Sequence, residues 1–364
     1  MLFAAPTYIC GLNSVLFAGK ANTTRNTAKD VVYTQIRLNF HSYTSLQTVK
    51  LMNSKPIFIN IIGSGSMGHL WASYLLKNLP ENEQANITLY GKRPQKTFKL
   101  QVQTPQQTFN CAISHKSLNQ WQPADYIIIC VKATALEQLC YQLAEITLHH
   151  PPVLLMMNGM GIIEIAKRAL PNTIICQAST NHGAQLDGAR LCHTGTGQTL
   201  IGQIDGSNTH QFIFAPLIEQ LDLALPTTTW NTKHLETLWT KLIVNSIINP
   251  LTTIHQVTNG ALIDDSQINQ QAETLVRELS PIIEKYLPKQ TWQGLFEKVE
   301  SIANQTYTNI SSMRQDIIKG RKTEIEFIST YLIKTAKELN LELPKHKEII
   351  NEINKLERLS HTHT

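Results

Sequence analysis

The chain has 364 residues, enough for two domains of the usual ~100–200 residues each. Its 42% hydrophobic and 16% charged residues are typical of a globular protein, and its formal net charge of +5 is small. No dense Lys/Arg block with interleaved aromatic residues occurs, so nucleic acid is a poor candidate partner. No apolar run approaches the ~18 residues that a membrane-spanning helix needs, so a membrane is not expected either.

The cysteines give no sign of a metal site or a disulfide framework. They form no CxxC pair and no metal-like spacing with histidine. Several lie in apolar runs such as YIIICVKA, where cysteine behaves as a small buried hydrophobic residue. We therefore expect reduced cysteines, no metal and a cytoplasmic location.

Residues 1–51 differ from the rest of the chain. They carry five basic side chains against one acid, Asp30, and show no clean periodicity. We expect a disordered leader or a misassigned start, with Met52 as the working start, because the strand-like MNSKPIFINII begins there. The alternative is an organellar transit peptide, which is also basic, acid-poor and Ser/Thr-containing. No functional residue is predicted in this segment.

A strand, a glycine turn and a helix follow one another in KPIFINIIGSGSMGHLWASYLLKNL. The apolar, β-branched run before the turn predicts a buried parallel strand. In the pattern G-x-G-x-x-G, the first glycine permits a tight turn and the second lets the backbone approach a pyrophosphate. The third allows close packing of helix on strand, and the helix N-terminus offers free N–H groups. This context predicts a dinucleotide site formed by Gly63, Ser64, Gly65, Ser66, Met67 and Gly68.

The second predicted strand, ANITLYGKRPQ, indicates which dinucleotide binds. Sites for NAD usually place Asp or Glu at the end of this strand, where the carboxylate bonds the ribose 2′-hydroxyl. This chain has Gly91, Lys92 and Arg93 there and no acid. Arg93 can bind a 2′-phosphate through two hydrogen bonds, whereas an acid would repel it. The pattern favours NADPH over NADH, and the alternative is a solvated basic turn.

Two further predicted strands end in polar residues. ADYIIICVKATALEQL predicts a strand that ends at Lys132, and PPVLLMMNGMG predicts one that ends at Asn158. Ligands of open α/β sheets lie beyond the carboxyl ends of the strands, so both side chains are expected near a nicotinamide. The alternative for Lys132 is an ordinary surface lysine. NTIICQAST and GQTLIGQI predict two more strands, with His182 and Gly183 in the connecting loop.

The sequence pattern changes near residue 228. Strand-like runs become rare after this point, and helical periodicity continues almost to the end of the chain. We expect a Rossmann-type dinucleotide-binding domain over 52–228, followed by an all-α substrate domain over 229–364. Several residues are expected to mark the boundaries between helices, namely Pro250, Asn259-Gly260, Pro281 and Pro344.

Lys241, Asn245 and Asn249 recur every fourth residue in the apolar run WTKLIVNSIINPL. Positions four apart lie on one face of an α-helix, so these side chains form a polar stripe on an otherwise apolar helix. Burying unpaired ammonium and amide groups is costly, so the stripe must find partners. It is either a solvated face, a small hydrogen-bond network or a binding site, and this run alone does not decide.

The segment ISSMRQDIIKGRKTEIEFI (310–328) is polar before it becomes apolar. We expect Ser312 to cap a helix, with Gln315 completing a capping box. Glu324 lies twelve residues after Ser312, which places both near one face of a continuous helix. The alternative for Glu324 is a surface carboxylate paired with a nearby basic residue.

These motifs resemble the ketopantoate reductases (2-dehydropantoate 2-reductases), NADPH-dependent enzymes of pantothenate biosynthesis. The general part of the resemblance is GSGSMG together with CVKA, NG and NHGA at 130–133, 158–159 and 181–184. The family-specific part is WTKLIVNSIINPLTTI at 239–254, TNG at 258–260 and SSMRQDIIKGRKTEIEFI at 311–328. The resemblance implies a Rossmann domain, an all-helical domain and a site in the cleft.

The resemblance also implies a role for each candidate residue. Lys241 falls on the catalytic general acid, and an ordinary lysine pKa of about 10.4 would keep it protonated at neutral pH. Glu324 falls on the acid that binds the substrate hydroxyl, supports the lysine and lies at the cofactor. Asn158 falls on a residue that contacts cofactor and substrate, Lys132 on the lysine beside the nicotinamide, and Arg93 on the 2′-phosphate ligand. The remaining substrate-binding positions are Asn245, Asn249, Asn259 and Ser312.

The sequence therefore predicts NADPH-dependent reduction of ketopantoate to pantoate by a monomer or homodimer. The nearest alternative is a reductase of another small 2-oxo acid. Hydroxyacid and opine dehydrogenases share the architecture but do not require the polar stripe together with Ser312 and Glu324. A noncatalytic NADPH-binding sensor would be expected to lose Lys241 or Glu324, and both are present.

Overall fold

The computed structural model describes residues 57–78, 86–92, 97–147 and 149–361, which belong to one compact unit, Pro56–Thr364. The predictions for residues 1–51 and for Arg93 lie outside the described residues. Within the described ranges, no helix is both long enough and apolar enough to cross a membrane. The same ranges contain no cluster of three or more His, Cys, Asp or Glu side chains that could hold a metal ion.

An eight-stranded sheet forms the first part of the described chain. Its strands are β1 (Ile59–Ile62), β2 (Ile87–Tyr90), β5 (His115–Lys116), β6 (Tyr126–Ile129), β7 (Val153–Leu155), β8 (Ile175–Thr180), β11 (Thr199–Gly202) and β12 (Thr228–Trp230). The strand order is β12-β11-β8-β7-β6-β1-β2-β5, and β11 is antiparallel to β8 while the other neighbours are parallel. β1 therefore lies between β2 and β6, at the switch point of a Rossmann-type sheet. The predicted fold class is confirmed.

A second, four-stranded sheet was not predicted from the sequence. Its strands are β3 (Phe98–Gln103), β4 (Thr108–Ile113), β9 (Gly183–Asp187) and β10 (Arg190–Gly195), in the order β4-β3-β10-β9. Along β3 the buried side chains of Leu100 and Val102 alternate with exposed ones, as in a sheet with one covered face. The prediction of Gly183 as a loop residue was wrong because it begins β9, whereas His182 does lie in the connection.

Helices cover both faces of the large sheet. α1 (Ser66–Asn78) and α4 (Gln211–Ala224) contribute to the core on one face. α2 (Leu136–Ile146) and α3 (Ile162–Ala169) contribute to the core on the other. Because both faces are covered, every residue of β1, β2, β6 and β7 is buried, which explains their mostly apolar sequences.

Between β12 and residue 361, all regular elements of the described chain are helices. The long helix α5 (His234–Ile254) contributes Leu242, Ile247 and Leu251 to a separate helical core. The other helices are α6 (Ala261–Asp264), α7 (Ser266–Glu278), α8 (Ser280–Tyr286), α9 (Trp292–Gln305), α10 (Ser312–Ile318), α11 (Ser329–Glu338) and α12 (Pro344–His361). The change in structure falls close to residue 228. The division into two domains stays a prediction, because Pro56–Thr364 forms one compact unit.

Pro250 lies inside α5, so the prediction that it marks a boundary between helices was wrong. A proline removes one helical hydrogen bond and crowds the preceding turn, at a cost in stability. Here Pro250 is buried among the side chains that pack α5. Pro281 and Pro344 lie at the starts of α8 and α12, where proline is tolerated.

Candidate active site

The turn after β1 has the geometry that its glycines require. Gly63 has φ = +119°, and a Cβ there would lie 2.7 Å from the Cys130 backbone. A Cβ on Gly68 would lie 1.9 Å from the Gly63 carbonyl oxygen, because α1 packs directly against the turn. A Cβ on Gly65 would meet no atom within 4 Å. The open space at Gly65 is where a pyrophosphate can approach the backbone.

A cleft of about 940 Å³ opens beside this turn, near the carboxyl ends of β1, β2 and β6. Residues from the sheet and from the helical part of the chain line it. Among its described lining residues there is no carboxylate, and there are four cationic side chains: Lys92, Lys132, Arg321 and Lys322. The size, the switch-point position and the positive charge of this cleft fit a dinucleotide with its phosphates.

Only part of the predicted cofactor segment faces the cleft. Gly63–Gly65 lines it, whereas Ser66, Met67 and Gly68 are not among its lining residues. The Ser66 hydroxyl instead accepts the Leu186 N–H at 3.2 Å, and Met67 packs against the core of the large sheet. The assignment of Ser66, Met67 and Gly68 to the cofactor site stays a prediction, and it rests on the main-chain N–H groups at the start of α1 and not on side chains.

Lys132 follows β6 at the predicted edge of the sheet and joins the sheet to the helical part. Its Nζ lies 2.6 Å from Asp316 Oδ1 and donates to the Lys322 carbonyl oxygen at 3.1 Å. Asp316 is buried on α10. Burial raises the pKa of Asp316 above its usual range, and the Lys132 ammonium opposes that rise. The surface-lysine alternative therefore does not describe Lys132.

Lys241 lies on α5 with its ammonium turned toward the sheet. Its Nζ donates to the Thr180 carbonyl oxygen, at the end of β8, at 2.7 Å. Burial lowers the pKa of Lys241 to about 8, while the Glu324 carboxylate acts in the opposite direction. The expectation of an ordinary lysine pKa was wrong, because desolvation outweighs the carboxylate. The ammonium form still predominates at pH 7, and its proton is more readily donated than that of a solvated lysine.

Glu324 and Asn158 meet beside the end of β6. Glu324 Oε1 accepts the Ala133 N–H at 3.2 Å, and the same carboxylate accepts a hydrogen bond from the Asn158 side chain. Burial raises the pKa of Glu324 above its usual range, and the Ala133 and Asn158 hydrogen bonds and the Lys132 charge oppose the rise. Glu324 is therefore a largely desolvated carboxylate of the site and not the surface acid of the alternative.

Close backbone packing holds these two residues together. Gly159 has φ = +100°, and a Cβ there would lie 2.6 Å from Phe327 Cβ. The Met160 N–H donates to the Phe327 carbonyl at 3.1 Å. On the other side of the same segment, the Thr323 N–H donates to the Glu357 carboxylate of α12 at 2.7 Å. The loop that carries Glu324 is thus fixed both to the sheet and to the last helix.

The predicted polar stripe exists on α5. Lys241 and Asn245 line one small cavity together with Asn158, so the first two positions face the sheet and are only partly exposed. Asn249, one turn further, is also buried. The solvated-face alternative for the stripe is excluded, because these side chains lie between α5 and its neighbours.

Asn259 belongs to a second group, beyond the C-terminal end of α5. Its amide donates to Thr306 Oγ1 at 2.9 Å, and its N–H donates to the Asn309 carbonyl at 3.0 Å. Its Oδ1 is buried and has no hydrogen-bond partner among the described residues. A buried acceptor without a partner is uncommon in proteins, so Asn259 retains an unused hydrogen-bonding group at this position.

Ser311, and not Ser312, caps α10. The Ser311 hydroxyl accepts the Arg314 N–H at 3.3 Å and the Thr252 hydroxyl of α5 at 2.8 Å. Ser312 is the first residue of the helix and is exposed. The predicted cap and capping box were wrong, because two adjacent serines allow two starting points and the buried one was selected by its contact with α5.

α10 ends at Ile318, so Ser312 and Glu324 do not share the face of a continuous helix. Gly320 follows with φ = +59°, a conformation that ends helices readily. Glu324 then precedes a short 3₁₀ turn. The prediction of one helix through both residues was wrong.

Two family descriptions match the chain in succession. Ketopantoate reductase PanE/ApbA matches residues 59–206, and Ketopantoate reductase PanE/ApbA C terminal matches residues 233–357. The chain belongs to the ketopantoate reductase family. The two matched ranges include the glycine turn, the α5 stripe and Glu324. All of these parts of the candidate site therefore lie in residues that the family descriptions match.

Individual relatives agree with this family. The 2-dehydropantoate 2-reductase of Vibrio cholerae serotype O1 is 29% identical over 301 residues, which cover 82% of this chain and 98% of the relative. The ternary structure of D-mandelate dehydrogenase with NADH and anilino(oxo)acetate has a TM-score of 0.74 at 21% identity, covering 84% of this chain and 99% of that one. A dimeric ketopantoate reductase from Staphylococcus aureus has a TM-score of 0.69 at 20% identity, covering 84% and 100%. The two structures share the fold.

Two contacts of this ketopantoate reductase family member were not predicted. Asp316 pairs with Lys132, but nothing in a single sequence connects two residues so far apart along the chain. Thr180 binds Lys241 through its main-chain carbonyl, for which a side-chain motif gives no signal. His234 also lies near Lys241, and burial together with that ammonium lowers the pKa of His234 to about 4.

Proposed function

We propose that this chain reduces ketopantoate to pantoate with NADPH, a step of pantothenate and coenzyme A biosynthesis. The observation that carries the proposal is the meeting of Lys241, Glu324 and Asn158 beside the dinucleotide cleft. An ammonium donor, a carboxylate and an amide lie where the sheet and the helices of this family member approach each other. Such a set can orient a small hydroxylated 2-oxo acid and protonate its ketone oxygen.

The composition of the cleft supports NADPH over NADH. Lys92 lies at the end of β2 and lines the cleft, and no carboxylate is present among the described lining residues. An acid near that position would bind a ribose 2′-hydroxyl and repel a 2′-phosphate. Arg93 is the proposed 2′-phosphate ligand, since its guanidinium can donate two parallel hydrogen bonds to phosphate oxygens.

Lys241 acts as the general acid in the proposed reaction. NADPH, when bound, supplies the hydride that is added to the ketone carbon. The carbonyl oxygen then gains negative charge and takes a proton from the Lys241 ammonium, which leaves a neutral amine. The lowered pKa of about 8 makes this transfer easier than from a solvated lysine.

The remaining proposed ligands orient the substrate. Glu324 accepts a hydrogen bond from the substrate hydroxyl, and Ser312 with the asparagine amides donates to the substrate carboxylate. Neutral amide donors suit this purpose, because they position oxygen atoms without competing for the transferred proton. The proposed substrate-binding asparagines are Asn158, Asn245, Asn249 and Asn259.

The test is loss of NADPH absorbance by the purified full chain with ketopantoate, 2-oxoisovalerate or pyruvate. Rapid turnover on ketopantoate and slow turnover on 2-oxoisovalerate, which lacks the hydroxyl, is expected if Glu324 binds that hydroxyl. Equal rates on ketopantoate and 2-oxoisovalerate would favour the alternative, a reductase of another small 2-oxo acid. Binding of NADPH without oxidation on any of the three acids would refute the proposed reaction.

The remaining proposals concern assembly and location. We propose a monomer or homodimer in the cytoplasm, with ketopantoate as its partner molecule and neither nucleic acid nor membrane. Sedimentation velocity at several protein concentrations distinguishes a monomer from a dimer. A larger assembly, or co-purifying nucleic acid detected by absorbance, would contradict this proposal.

A further inference from the structure

The four cations of the dinucleotide cleft differ in what else they contact. Lys132 pairs with Asp316 at 2.6 Å, and Lys322 Nζ lies 3.4 Å from Glu326 Oε2. Lys92 and Arg321 have no ion-pair partner within 4 Å among the described residues. Arg321 is therefore the cation from the helical part of the chain whose charge is not already paired.

The backbone holds Arg321 beside the cleft. Its N–H donates to the Asp316 carbonyl at 2.8 Å, just after the turn at Gly320. The carbonyl of the next residue, Lys322, accepts the Lys132 ammonium at 3.1 Å. These bonds attach the segment after α10 to the carboxyl end of β6, while the Arg321 side chain stays exposed. The guanidinium is thus exposed, whereas the backbone that carries it is hydrogen-bonded.

This anchor lies on the glycine-turn side of the cleft. The Cys130 N–H, just after β6, donates to the Ile62 carbonyl at 2.7 Å, immediately before Gly63. Lys92 instead lies at the end of β2, where the ribose that carries the 2′-phosphate is expected. Arg321 is therefore closer in the fold to the expected pyrophosphate position than to the 2′-phosphate position.

We propose that Arg321 binds the pyrophosphate of the dinucleotide from the helical part of the chain. The contact rests on the proposed use of NADPH. A guanidinium presents a planar set of donors that matches phosphate oxygens, and the glycine turn supplies main-chain donors from the opposite side. The pyrophosphate then contacts both the glycine turn and the segment that also carries Glu324.

The experiment measures equilibrium binding of NADPH, NADH and ADP-ribose to the full chain by calorimetry, without substrate. Arg321→Gln is expected to weaken all three ligands by the same factor, ~10-fold, because each contains the pyrophosphate. The matched control is Lys319→Gln, which removes the same charge from an exposed position on the same segment that does not line the cleft. This control is expected to bind all three ligands like the unmodified chain.

Two results would overturn the inference. Unchanged affinities in Arg321→Gln would show that the guanidinium does not bind the cofactor, and a loss confined to NADPH would assign it to the 2′-phosphate. Arg321→Lys, which keeps the charge but not the planar donors, is expected to lose less affinity than Arg321→Gln. Failure of the proposed function is a separate result, since the unmodified chain would then bind NADPH without reducing ketopantoate.

Discussion

The dinucleotide cleft and the cavity beside Lys241 both lie at the carboxyl edge of the large sheet, but they differ in volume. The cleft has a volume of about 940 Å³ and is lined by glycine backbone and cations. The cavity has a volume of about 10 Å³, roughly the space of one water molecule. The cleft can therefore hold the proposed cofactor in this structure, whereas the proposed contact between a substrate and Lys241 would require a wider cavity.

The difference shows how one fold treats two kinds of ligand. A dinucleotide is large and anionic, so exposed cations and free main-chain N–H groups can bind it at the surface. A proton donor for a small acid works better when it is partly desolvated, because its pKa then approaches neutrality. The Thr180 carbonyl accepts one hydrogen bond from the Lys241 ammonium. An ammonium has three N–H donors, so Lys241 keeps donors for the proposed substrate oxygen.

Lys241→Ala should show the largest difference between the two regions, because it is expected to lower kcat without changing NADPH affinity. Removing the proton donor is expected to lower kcat by ~10²–10³-fold, as for other donors to a developing oxyanion. NADPH affinity is expected to stay unchanged, because Lys241 does not line the cleft. Steady-state kinetics and calorimetry measure the two effects, with the exposed Lys233→Ala as control. Unchanged turnover in Lys241→Ala would remove the assignment.

Glu324→Gln should affect both regions, because its carboxylate contacts the Ala133 N–H and the Asn158 side chain. The proposed hydrogen bond to the substrate hydroxyl is weakened when the acceptor loses its charge, and kcat/KM for ketopantoate is expected to fall ~10–100-fold. Glu342→Gln, at a side chain that is 82% exposed, is the control and should behave like the unmodified chain. A loss of the same size on 2-oxoisovalerate would contradict the hydroxyl-binding role.

The pH dependence of kcat/KM should report the protonation of Lys241, which lines the cavity and not the dinucleotide cleft. Lys241 must be protonated to act, and its pKa is lowered to about 8, so activity is expected to fall as pH rises through about 8, ~10-fold per unit. Glu324 raises the Lys241 pKa, so Glu324→Gln is expected to shift this falling limb to lower pH. A limb that stays in place in Glu324→Gln would show that the two groups are not coupled.

The smallest expected effects are those of replacing Ser311 and Ser312, and they distinguish a role in stability from a role in substrate binding. Ser311→Ala removes the cap of α10 and is expected to lower the free energy of unfolding by about 1 kcal/mol. Ser312→Ala is expected to leave stability within about 0.5 kcal/mol, because the side chain is exposed, and to raise the KM for ketopantoate a few-fold. Thermal unfolding and kinetics measure both. The reverse pattern would transfer the proposed substrate contact to Ser311.

Prediction from the sequence worked best where neighbouring residues determine the structure. The strand, turn and helix around Gly63 depend on a buried apolar run and on a conformation at Gly63 that only glycine adopts easily, so they could be predicted locally. The face shared by Lys241 and Asn245 follows from helical periodicity in the same way. Local patterns gave the wrong result at Pro250 and Ser312, where buried contacts with other elements outweighed the local preference.

The sequence by itself determined the Rossmann-type sheet, the change to helices near residue 228 and the residues that form the polar stripe. Only the tertiary structure decided which groups meet: Lys132 with Asp316, Lys241 with Thr180 and Glu324 with Asn158. Backbone preferences act over a few residues, whereas these pairs come from segments far apart along the chain. Their pKa values depend on burial in the folded protein, because desolvation of a charge has no counterpart in the isolated sequence.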